Sequence, residues 1–220
     1  MQAALLFDLD GTLVDTDSEH LIAFQSVFAR HGISLTREDY VAKIMGVSNP
    51  LIAQAFLSHF SPEAQMATIH AKEAMFRENL GALTPIAGAG ALLDYAQLHG
   101  LKRAVVTNAP RANAEKVLAA IGFGERLPLR IFGGELARAK PDPLPYLTGL
   151  ERTRAHAKAS VAFEDSLSGV QSALGAGLAV IGLTTTLSRA TLLNAGASLA
   201  VEDYTDERIY GLIDRRRAAA

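Results

Sequence analysis

Hydrophobic positions follow two different rhythms along this chain, one helical and one made of short apolar runs. From about Asp17 to Leu80 the spacing is helical throughout. Leu21, Phe24, Val27 and Phe28 recur three and four residues apart, and His31-Gly32 closes that helix. Thr36, followed by acidic residues, reads as an N-cap, and Ser61-Pro62-Glu63 reads as a strong helix start. Met66, Ile69, Phe76 and Leu80 form the stripe expected to be buried on the last of four helices. After Gly81 helices alternate with apolar runs. Strands are predicted at Arg103–Val106, Leu129–Phe132, Val161–Phe163 and Ala179–Leu183. Helices are predicted at Gly90–Leu98, Ala112–Ile121, Leu144–Leu150, Ser168–Ala176 and Ser188–Asn194. Such alternation implies a parallel sheet with right-handed crossovers. A first apolar run, Leu5-Leu6-Phe7, has no partner of its own kind until after residue 80. The expected architecture is therefore α/β, a doubly wound (Rossmann-like) parallel sheet built from residues 1–15 and 81–220. A four-helix domain, residues 16–80, is inserted into it.

Composition narrows the possibilities. Hydrophobic residues make up 49% and charged residues 20% of 220, which is enough for a buried core and argues against disorder. A net charge of −2 leaves no basic footprint for nucleic acid. The absence of Cys excludes disulfides, thiolate metal sites and a Cys nucleophile. A candidate strand so near the first residue is expected to leave no room for a signal peptide, and no apolar stretch is long enough to span a membrane. A soluble cytoplasmic protein is the expectation.

Chemistry gathers at the predicted strand ends, where open parallel sheets place their sites. The first strand runs into Asp8 and Asp10, two residues apart and so projecting to one side. Two such carboxylates can hold a hard cation, or one can attack an electrophile while the other moves a proton. The second strand ends in Thr107-Asn108, offering a hydroxyl, an amide and backbone N–H groups near a helix start. The fourth ends in Glu164-Asp165, and Lys140-Pro141-Asp142-Pro143 sets one ammonium in a stiff loop.

In these residues the chain resembles the haloacid dehalogenase-like phosphohydrolases. Asp8-Leu9-Asp10-Gly11-Thr12 is similar to the family's first motif, Thr107 to the second, Lys140 to the third and Glu164-Asp165 to the fourth, in order over essentially the whole chain. The helical stretch falls where the first type of cap domain is inserted in this family. The resemblance implies that Asp8 is a nucleophile forming an aspartyl-phosphate and that Asp10 is the general acid/base. It implies that Thr107 and Lys140 hold the phosphoryl oxygens. It also implies Mg²⁺, held by the Asp8 side chain, the Asp10 backbone carbonyl and Asp165, with Glu164 nearby. The presence of Asp10 argues against the dehalogenase and phosphonate-cleaving branches.

Within the family the chain looks most like phosphoglycolate phosphatase, sugar-phosphate phosphatases and β-phosphoglucomutase. By that resemblance, substrate contacts fall to His20, Met45, Gly46, Asn49, Asn108 and Arg111, and the apolar Ile44, Met45 and Val47 suggest a lid that excludes water. Arg111 and Arg138 either contact substrate or brace their loops. The mutase's Lys and Arg in the cap loop are replaced here by Met45 and Asn49. A second phosphate would lose both charged partners, which favours a phosphatase. The expectation is a Mg²⁺-dependent phosphomonoesterase acting on a small phosphate ester, phosphoglycolate or a sugar phosphate. A phosphosugar mutase and a non-catalytic phosphate-binding module are the alternatives. The oligomeric state stays open between monomer and homodimer.

Overall fold

Runs of Val, Ile, Leu and Ala without polar alternation belong in strands covered on both faces, and a computed structural model describing residues 1–219 places them so. The strands are β1 (Ala4–Phe7), β2 (Lys102–Thr107), β3 (Leu129–Phe132), β4 (Val161–Glu164), β5 (Ala179–Leu183) and β6 (Leu199–Val201). All pairings are parallel and the order is β3-β2-β1-β4-β5-β6. Every residue of β1, β4 and β5 is buried. β6 is absent from the sequence reading, which otherwise names each strand to within one or two residues at either end.

The described chain forms two compact units. Met1–Asp15 with the chain from Thr84 on make one, and Thr16–Leu83 make the other. In the first, helices α5 (Ala89–Leu98), α6 (Arg111–Ala120), α7 (Leu144–Thr153), α8 (Leu167–Gly175), α9 (Arg189–Asn194) and α10 (Arg208–Ala218) accompany the sheet. Leu6 and Ala104 from the sheet pack with Tyr146, Leu150, Val170 and Ala173 from α7 and α8 in one cluster. The chain runs outward from β1 to β2 and β3, then returns to β4 on the other side of β1. Direction therefore reverses between β1 and β4, and a crevice forms beyond the C-terminal ends of those two strands.

The second unit holds α1 (Asp17–Ala29), α2 (Arg37–Lys43), α3 (Asn49–Leu57) and α4 (Pro62–Glu78). The expected caps are in place: Thr36 accepts from the Asp39 N–H at 3.0 Å and Ser61 from the Ala64 N–H at 3.3 Å. Phe24, Phe28, Tyr40, Ile52, Leu57 and Ile69 make the centre of its core. The stripe expected on α4 needs correction. Met66 is 40% exposed and Leu80 lies beyond the helix end, half-buried. The buried face is Thr68, Ile69, Lys72, Glu73 and Phe76. It is centred between Ile69 and Lys72, which leaves Met66 at its edge, and it buries two charges because they pair with each other. No helix among the described residues is long and apolar enough to cross a membrane.

Candidate active site

β1 delivers Asp8 to the crevice. The Asp8 N–H donates to the Phe163 carbonyl at 3.0 Å, extending the β1–β4 ladder by one step, and the Phe7 and Phe163 rings stack 4.8 Å apart beneath it. Gly11 then turns the chain with φ +73°. A side chain there would be strained, and its Cβ would lie 2.2 Å from an Asp165 oxygen. Tyr204 donates to the Thr12 carbonyl at 2.9 Å and ties the loop down from below.

Lys140 is the centre of the charge arrangement. Its ammonium is buried and lies 2.5 Å from Asp8 Oδ1 and 2.5 Å from Glu164 Oε1. The same Glu164 oxygen receives the Tyr146 hydroxyl at 2.7 Å, and Oε2 receives Ser166 at 3.2 Å. Ser166 Oγ also accepts from the Gly169 N–H at 3.1 Å and so caps α8. Gly169 leaves no room for a side chain, since a Cβ would lie 1.9 Å from the Glu164 carboxylate. Asp165 accepts from Thr12 at 3.1 Å and from Thr186. Thr107 is buried at the end of β2, its hydroxyl oxygen accepting from the Ala109 N–H at 3.0 Å. Asp10 is half-buried, two residues beyond Asp8.

Electrostatics follow from this burial. Burial pushes the Asp8 carboxyl up to about 7, and Glu164 and Asp10 add to the rise while Lys140 opposes it. Burial disfavours the Lys140 ammonium, but Asp8 and Glu164 outweigh it and raise its pKa. The Tyr146 and Tyr204 hydroxyls are raised well above the usual range by burial, with the neighbouring carboxylates contributing. Oxygens of Asp8, Glu164 and Asp165 come within 4.8 Å of one another. Three buried carboxylates facing one buried ammonium leave a surplus of negative charge, and burying such a surplus is costly without a further cation. A hard divalent cation such as Mg²⁺ fits this all-oxygen donor set.

The remaining expected residues are engaged in other ways. Asn108 exchanges two 3.2 Å hydrogen bonds with the backbone of Lys140 and so fixes the loop that carries it. Arg111 makes a two-pronged pair with Glu135, at 2.8 and 2.6 Å, and lies 4.3 Å over the Phe132 ring. Arg138 pairs with Asp142 at 2.6 Å. Both arginines brace loops.

His20, Met45, Gly46 and Asn49 belong to the helical unit. His20 stacks on Phe76 at 4.0 Å and meets the Lys72 ammonium through Nδ1 at 2.8 Å. Lys72 is also 3.2 Å from Glu73, whose Oε1 accepts from Asn49 at 2.8 Å. Ile44 is buried in that unit's core, and Met45 and Val47 pack against it while staying partly exposed. Tyr146, Thr186, Lys72 and Glu73 escape the sequence reading. Thr184-Thr185-Thr186 lies just past the C-terminal end of β5, where the strand-end rule points. Lys72 and Glu73 sit between Ile69 and Phe76 at helical spacing.

Residues 5–183 match the model of the family described as haloacid dehalogenase-like hydrolase. A phosphorylated carbohydrates phosphatase of Thermotoga maritima is 32% identical over 205 residues, 90% of this chain and 94% of its own. A phosphoglycolate phosphatase of Rhodospirillum rubrum is 29% identical over 213 residues, 93% of this chain and 88% of its own. The crystal structure of a CbbY mutant from Rhodobacter sphaeroides, in complex with xylulose-(1,5)bisphosphate, superposes with a TM-score of 0.84 at 28% identity, covering 94% of this chain and 96% of that one.

Proposed function

The chain belongs to the haloacid dehalogenase-like hydrolase family, and on that premise we propose that it is a Mg²⁺-dependent phosphomonoesterase for a small phosphorylated metabolite, working through an aspartyl-phosphate at Asp8. One observation carries the reading: a buried ammonium 2.5 Å from the Asp8 carboxylate, at the point where the strand order reverses, with Glu164 and Asp165 beside it.

A carboxylate attacking a phosphate dianion faces charge repulsion, and fixed cations must offset it. Lys140 is fixed already, held between Asp8 and Glu164, so no reorganisation is needed at the moment of reaction. Asp8 forms a bond to phosphorus as the ester P–O bond breaks, and Asp10 gives a proton to the departing alkoxide oxygen. Asp10 then takes a proton from water, the water oxygen bonds to phosphorus, and the Asp8–phosphoryl bond breaks. Inorganic phosphate leaves and both carboxyls are restored. The Thr107 oxygen accepts from the Ala109 N–H at 3.0 Å, and its hydroxyl proton can donate to a phosphoryl oxygen. Asp8, Asp165 and the Asp10 carbonyl, with Glu164 alongside, would hold Mg²⁺, which would supply positive charge for the phosphoryl oxygens.

The substrate class is a small organic phosphate. The relatives' names, which speak of phosphorylated carbohydrates and of phosphoglycolate, support that breadth. Met45 and Asn49 bring no charge for a second phosphate, and Asn49 is tied to Glu73. Phosphate release measured over a panel of sugar phosphates, polyol phosphates and phosphoglycolate tests the reading. Release from one or more of them is expected, whereas interconversion of a sugar phosphate without release would replace it with a mutase.

A further inference from the structure

A second concave feature lies at the other end of the sheet. A groove of about 670 Å³ opens at the N-terminal ends of β2 and β3, with Lys102, Arg103, Arg152 and Arg154 along it. Five residue steps along β2 lead from Lys102 to Thr107, roughly 17 Å at the rise of a strand, so the groove is remote from Asp8. No carboxylate lines it; Gln97 and Thr153 are its uncharged polar side chains, and Leu101, Pro128 and Leu129 give it an apolar wall. Among the described residues, none of the four cations has a carboxylate within ion-pairing distance, while Arg111, Arg126, Arg138, Arg208 and Arg217 all do.

The ends of α5 and α7 adjoin the groove, and helix C-termini favour cations. That accounts for a cation near each end, and Arg103 and Arg152 also donate to the Leu93 and Arg130 carbonyls at 3.3 and 3.5 Å, but four cations around one cavity without a carboxylate go further. Arg154 adds an independent sign. It follows α7 with φ +54°, the one non-glycine residue with positive φ among the described residues. Glycine is the usual occupant of that position, and an arginine keeps it at a conformational cost. Volume, charge and the strained arginine therefore coincide, and the volume is that of an ordinary small-molecule site.

We propose that this groove binds a small organic polyphosphate, a molecule with two or more phosphoryl groups on a carbon body. Four cations around one cavity exceed what a single phosphate needs and match a chain of phosphoryl groups. The apolar wall suits the carbon portion. The inference rests on this geometry alone and stands apart from the reading of Asp8.

Equilibrium dialysis of the full chain against tripolyphosphate and against β,γ-methylene-ATP, without Mg²⁺ at low ionic strength, tests it. The variants are Arg152→Gln with Arg154→Gly, Lys102→Gln, and Thr107→Val. Glycine accepts the left-handed backbone at 154, and residues 102, 152 and 154 are exposed, so these changes leave the fold intact. Both probes are expected to bind one per chain. The double variant should weaken both at least about tenfold, Lys102→Gln should weaken both, and Thr107→Val should weaken neither. Retained affinity in the groove variants, loss confined to Thr107→Val, or no binding of either probe in the millimolar range would overturn the proposal.

Discussion

The Tyr146 hydroxyl donates a hydrogen bond to the Glu164 oxygen that also receives Lys140. Without it that oxygen keeps only the lysine, and the carboxylate is held less firmly. Tyr146→Phe is expected to lower stability by about 2 kcal/mol in urea titrations, the usual range for a hydrogen bond to a charged group. It should lower kcat more than it raises KM, because Lys140 is positioned through Glu164. In the helical unit, burial raises the Glu73 carboxyl, but Lys72, His20 and Asn49 outweigh it and leave it below its usual 4.5. A depressed carboxyl stabilises the fold fully above the unfolded value and loses that contribution as pH falls through the folded one. Urea titrations should thus show stability falling as the pH drops below 4.5. Glu73→Gln should flatten that slope and cost about 3 kcal/mol at neutral pH, since it leaves Lys72 buried without its carboxylate. An unchanged acid slope would refute the assignment. The residues carrying chemistry at strand ends were legible in the sequence because position and type agreed at each. Lys72 and Glu73 were not, because charges on a helix are ordinarily assigned to its solvent side, and it is their pairing, with His20 and Asn49 beside them, that makes burial tolerable.

Elements present these groups to one another through close approaches that leave no room for a Cβ. α8 begins against Glu164 at Gly169, and the loop after β1 turns against Asp165 at Gly11. Gly169→Ala gains helix propensity of about 1 kcal/mol, but the 1.9 Å overlap with Glu164 decides the outcome. The carboxylate must shift and carry Lys140 with it, and a displacement near 1 Å costs activity about 100-fold. Steady-state kinetics on a variant with a normal far-ultraviolet spectrum checks this; wild-type turnover would contradict it. Strand and helix positions in the sheet unit were readable because β1, β4 and β5 carry continuous apolar runs followed by polar residues, with helical spacing between them. β6 was not readable. Three residues, Leu199–Val201, between Ser198 and Glu202 are too few to show a period.

At the scale of the molecule, the parallel order β3-β2-β1-β4-β5-β6 decides where chemistry can occur. It places the ends of β1 and β4 side by side, so Asp8 meets Glu164 and Asp165 although about 150 residues separate them. The surplus negative charge there should make activity depend on a divalent cation. Chelation with EDTA is expected to abolish phosphate release and added Mg²⁺ to restore it. Asp8 and Glu164 meet at Lys140, Asp165 lies beside them, and Thr107 ends the neighbouring strand β2. The most direct test of the central claim is phosphate release from the best ester of the panel by wild type and Asp8→Asn, each with Mg²⁺. Wild-type turnover with a fall of at least about 1,000-fold in the variant is the predicted result; an Asp8→Asn protein that still turns over near the wild-type rate would contradict it.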